Sequence, residues 1–162
     1  MHAMVAVPLT VQTIDGDIQF PTCLMRNATN VTVEPTDGAN AAEIEVTGDE
    51  SDYIVLSHTP LVLTHVSNSP QEAPSGQATS IDAEVLAQTN STHGTINSPY
   101  PWMNGTPGDG VGGPQYVELG ASSPAGSTGN GTLNVKLGAK IPVIAANQQR
   151  GNYTGSFTVT AD

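Results

Sequence analysis

The chain has 162 residues, enough for one domain with a core of its own and too few for two of ordinary size. Hydrophobic residues make up 37% and charged residues 12%, about half the usual charged share. Fifteen acidic residues face four basic ones (Arg26, Lys136, Lys140, Arg150), and the net charge of -11 repels phosphate backbones and argues against nucleic-acid binding.

The apolar residues gather into short alternating runs, which separates the chain from a disordered one. The first run is the most regular. Val5, Val7, Leu9 and Val11 alternate with Ala6, Pro8, Thr10 and Gln12, ahead of an Asp15-Gly16-Asp17 turn signal. This spacing predicts a strand with one apolar face. Such a strand needs a sheet to dock on, either its own or that of a second copy. The reading taken is donation: residues 1–13 form a donor strand and 14–162 one domain. Pro8, lacking an N–H, then has to face away from a ladder bond.

Ile18 and Phe20 continue a short alternating segment, and Cys23, the single cysteine, leaves no intrachain disulfide and reads as an unreactive thiol. Val31 and Val33 mark the next strand, closed by the turn cluster Glu34-Pro35-Thr36-Asp37-Gly38. Ala42, Ile44 and Val46 alternate with Glu43, Glu45 and Thr47, so one face is buried and the other wet. Further strands are predicted over 53–57, around Leu61, Leu63 and His65, and over 81–88, with loop at 67–80.

Residues 89–132 are dominated by Gly and Pro and form a long loop, interrupted by one brief strand at 115–119. The loop carries Tyr100 and the only tryptophan, Trp102, which either stack on a sugar or fold back to cap the core. Regular pattern returns in Leu133, Val135, Leu137, Ile141 and Val143, and a last strand carries Tyr153, Phe157 and Val159. The expectation is eight to ten short strands, no helix, and an antiparallel β-sandwich.

Little in the chain suggests reaction chemistry. The four histidines are scattered without metal-ligand spacing, Cys23 has no signature of a nucleophile, and the glycines at 108–113 are followed by no lysine. No catalytic residue, metal or cofactor is expected, and the protein is read as a non-enzyme. The Asp49-Glu50-Ser51-Asp52 turn reads as a solvated acidic turn rather than a calcium loop. Six of the eleven asparagines (Asn27, Asn30, Asn90, Asn104, Asn130, Asn152) head N-x-S/T triplets and are candidate sugar acceptors in a glycosylating host. No apolar run of eighteen residues predicts a membrane span, and no signal peptide is visible, so an exported protein is expected here in mature form.

The segment Gly151-Asn152-Tyr153-Thr154-Gly155-Ser156-Phe157-Thr158-Val159 resembles the G-x-Y-x-G-x-F-x-V ending of a family of exported bacterial β-sandwich proteins of unassigned function, related in pattern to fimbrial subunits. The blocks 33–39, 42–48 and 53–56 resemble that family's middle region, and Leu133 to Val143 its penultimate hairpin. The chain departs from chaperone–usher pilins in ending Ala161-Asp162, without an aromatic near the terminus. The resemblance implies an immunoglobulin-like sandwich that polymerises head to tail outside the cell. Val5, Val7, Leu9 and Val11 would fill the next subunit's groove, bordered by Tyr153, Phe157 and Val159. An assembly chaperone and usher would be the other partners. The alternative from a different class is a monomeric secreted binding module, for carbohydrate or surface adhesion, working through the 89–132 loop.

Overall fold

The computed structural model describes residues 7–21, 24–50, 52–66, 76–89, 100–102, 115–121 and 130–162. Among them are twelve strands and no helix. In chain order these are β1 (Thr10–Asp15), β2 (Thr29–Val33), β3 (Ala42–Asp49), β4 (Tyr53–His58), β5 (Leu61–Val66), β6 (Ser80–Thr89), β7 (Tyr100–Trp102), β8 (Gln115–Glu118), β9 (Gly120–Ala121), β10 (Asn130–Val143), β11 (Asn152–Thr154) and β12 (Val159–Ala161). All their pairings are antiparallel. Nine strands make one sheet along the path β1-β3-β10-β6-β5-β11, with β2 and β9 added on β10 and β7 on β6; β12-β4-β8 make a second sheet.

Period-two patterning builds the core directly. Val46–Leu133, Ile44–Val135 and Ala42–Leu137 are cross-strand partners with all six side chains buried. The row continues through Leu137–Ala87 and Ala139–Val85, then through Leu61–Ala83 and Leu63–Ile81. From the smaller sheet, Ile54 and Leu56 of β4 enter the same cluster. The two sheets therefore close over one core.

β10 organises the larger sheet. Its start pairs with β3 and its end with β2 along one edge, while β9 and β6 share the other. These changes of partner curl the sheet. Leu133 to Val143 is thus one continuous strand, not the hairpin the sequence pattern suggested. Gly138 is what makes the passage feasible: a Cβ there would overlap the Val33 carbonyl oxygen and crowd the backbone of Glu34 and Pro35, where the chain leaves β2.

Three other expectations are revised. The Ile18–Phe20 segment forms no strand; it is held by a bond from the Gln19 N–H to the Asn40 carbonyl, with Ile18 and Phe20 packed against the core. The last strand divides, because β11 pairs with β5 of the larger sheet and β12 with β4 of the smaller, so residues 155–158 carry the chain from one to the other. Within 89–132 the described residues hold three short strands, β7, β8 and β9, where one was predicted.

Candidate functional site

The N-terminal run lies at a sheet edge. β1 pairs with β3 of its own chain, Val11 opposite Val46 and Thr13 opposite Ile44. The strand begins at Thr10, later than the alternation from Val5 implied, and runs through Ile14 to Asp15, into the predicted turn. Ahead of it the Val7 N–H donates to Asp49 Oδ1 at 3.0 Å. All six β1 residues are exposed: Val11 keeps 41% of its surface, Ile14 keeps 54%, and Leu9 just before the strand keeps 39%. Backbone hydrogen bonds, more than apolar burial, hold this edge. Val5 lies outside the described residues.

Next along the chain, residues 16–21 and 24–26 run beside residues 148–157 and leave a cleft of about 920 Å³ between them, of mixed polar and apolar lining. Ile18, Phe20 and Leu24 line it from the first segment, Tyr153 and Phe157 from the second, over Leu63 of β5 and Ile81 of β6. Of the residues expected to border a groove, Tyr153 and Phe157 thus meet here. Val159 does not line the cleft; it packs on the core from β12, opposite His58.

A polar clamp builds the end of the cleft around the 145–151 turn. Gln148 is buried, and its Nε2 donates to the Ala78 and Ser80 carbonyls (3.0 and 3.2 Å) and lies 2.9 Å from Tyr153 Oη. Tyr153 Oη in turn donates to the Gln149 carbonyl at 2.7 Å. His65 sits edge-on to the Tyr153 ring, centroids 5.3 Å apart, and its Nε2 bonds the Arg150 carbonyl at 2.9 Å. A carbonyl only accepts, so Nε2 carries the proton in this arrangement. Arg26 Nε donates to the Gln148 carbonyl at 2.7 Å, tying the first wall of the cleft to the second. Gln149 Oε1 is a buried side-chain atom of this turn with no hydrogen-bond partner among the described residues.

Asp17, Arg26 and Arg150 are the charged residues lining the cleft among those described. Sequence reasoning did not find Arg26, Gln148 or Arg150 as a group. They stand up to 124 residues apart in a chain with no motif joining them, and the fold alone brings them together.

The remaining sequence candidates are dispersed. Asn27 and Asn30 are exposed and take positive φ (62° and 54°), and Asn152 is exposed at the start of β11. Asn130 opens β10, and Asn90, Asn104 and Cys23 lie outside the described residues. Tyr100 and Trp102 fall in β7, opposite Ala87 and Val85, as a backbone pairing. Most of the 89–132 loop lies outside the described residues. Among the described residues no group of three His, Cys, Asp or Glu is placed to hold a metal ion, and no helix is long and apolar enough to cross a membrane. No protein-family model matches the sequence, and no curated protein matches it.

Proposed function

We propose that the protein is a structural subunit of an extracellular filament, an immunoglobulin-like sandwich joined head to tail by its N-terminal strand. The observation that carries this reading is β1, an edge strand whose residues are all exposed and which is held mainly by its ladder to β3. An exposed apolar edge is a template for pairing with another chain. Exchanging it onto a neighbour conserves backbone hydrogen bonds and gains apolar burial.

The open cleft beside Tyr153 and Phe157 supplies a receiving surface. Residues 5 to 11 span roughly 20 Å when extended, and in an extended strand their alternation would put Val5, Val7, Leu9 and Val11 on one side. Burying each fully contributes roughly 1.5–3 kcal/mol before ordering costs. The Tyr153 hydroxyl, bonded back to the carbonyl of Gln149, has the form of the tyrosine corner found in immunoglobulin-like sandwiches, which supports that architecture. A head-to-tail joint of this kind does not close on itself and so propagates as a fibre.

Electron microscopy of the purified protein beside a variant lacking residues 1–13 tests the reading. Filaments are expected from the full chain and none from the deletion, with circular dichroism showing that the shortened protein is folded. Dispersed particles from both would overturn it.

A further inference from the structure

Six of the eleven asparagines head N-x-S/T triplets where the Ser and Thr content would give about two, and in all six the third residue is threonine. The fold treats these asparagines differently from others. Asn40 and Asn147 head no such triplet, and each engages its amide, Nδ2 donating to Asp37 Oδ2 at 2.9 Å and to the Gly76 carbonyl at 2.8 Å. Asn27, Asn30 and Asn152 do head triplets. All three are exposed, and their side chains make no hydrogen bond among the described residues. Asn152 lines the cleft, whereas Asn27 and Asn30 stand outside it at the entry to β2. There the Ala28 N–H bonds the Met25 carbonyl at 3.1 Å and the Asn27 N–H bonds the Ile144 carbonyl at 2.9 Å. The backbone is thus fixed while both amides are left to solvent. Positive φ (62° and 54°) favours asparagine at 27 and 30, and strand propensity favours threonine at 29 and 32. Neither preference explains why free, exposed amides go with the triplet.

We propose that Asn27 and Asn30 are acceptors for N-linked oligosaccharide. Nδ2 attacks C1 of an oligosaccharide carried on a lipid pyrophosphate, the donor of an oligosaccharyl transferase. The N–C1 bond forms as the C1–O bond breaks, lipid pyrophosphate leaves with the electron pair, and Nδ2 gives up one proton. The sugars belong to the end of β10, where Val143 pairs with Thr29; the donor strand begins level with Thr132, near the start of β10. They therefore sit away from the donor edge. The proposal rests on export, which the filament reading includes, and not on polymerisation.

The test is peptide-level mass spectrometry of the full chain recovered from cells that naturally produce it. A saccharide mass is expected on each of Asn27 and Asn30, with Asn40 and Asn147 bare. Glutamine at these positive φ angles would be strained, so the threonines are changed and the asparagines kept. Thr29→Ala with Thr32→Ala should abolish the added mass, and Thr29→Ser with Thr32→Ser should retain it. Either residue bare throughout the parent sample, or saccharide persisting on the alanine pair, would overturn the proposal. Electron microscopy of the same parent sample reads polymerisation separately, so the two readings fail independently.

Discussion

Gly151 holds φ at +144°, a backbone conformation that side chains rarely adopt, and a Cβ there would overlap the His65 ring. The ring cannot easily withdraw, because its Nε2 is bonded to the Arg150 carbonyl and it packs T-shaped against Tyr153. Gly151→Ala therefore adds backbone strain and a clash at once. It should cost about 1–3 kcal/mol, read as a fall in Tm of roughly 2–4 °C per kcal/mol for a chain of this size. Gly38 is the control: nothing lies within 4 Å of an added Cβ, and its alanine variant should stay within about 0.5 kcal/mol of the parent. An equal loss in both would remove the argument from His65. The spaced glycines of G-x-Y-x-G were legible in the sequence as a motif. Their cause was not, since Gly151 answers to His65 and Gly155 to the carbonyl of Val62, residues about ninety positions earlier.

At the scale of elements, strict alternation translated well wherever one face met the core. β3 alternates buried and half-buried along its whole length, and β4, β5 and β6 fall where their apolar periods placed them. Alternation misled where partners changed. Ile18 and Phe20 have strand spacing but pack beside a cleft with no ladder, and Tyr153, Phe157 and Val159 share a period while serving two sheets. The continuity of β10 was hidden for the same reason, because Gly138 reads as an interruption when it is a point of close approach. β1 is the element whose two possible roles make opposite demands. As a mere edge, it buries little, so Val11→Lys should change stability by no more than about 0.5 kcal/mol. As an exchanged strand, it must bury Val11 in a neighbour, and a charge there should abolish filaments. Thermal melts with electron microscopy on that single variant check both halves: unchanged Tm with no filaments is expected, and unchanged filaments would remove Val11 from the joint.

For the whole molecule, the decisive contact is between the two sheets. Among the described residues no strand pair links them, so they are held together chiefly by side chains in the shared core, where the smaller sheet contributes Ile54 and Leu56. Leu56 is fully buried, as are Val46, Leu133 and Val135 of the larger sheet within the same cluster. The Leu119 N–H to Asp52 carbonyl bond at 2.9 Å adds one local tie beside β4. Such an arrangement leaves the three-stranded sheet little stability of its own, since an isolated small sheet is marginal in water. Leu56→Ala should thus destabilise the entire protein, by about 2–5 kcal/mol from lost transfer energy and residual cavity. Scanning calorimetry should show one transition moving down in temperature, with calorimetric and van't Hoff enthalpies still equal. Two separated transitions would mean that the smaller sheet melts as its own unit. The core would then not be the joint on which both sheets, and the cleft beside Tyr153 and Phe157, depend.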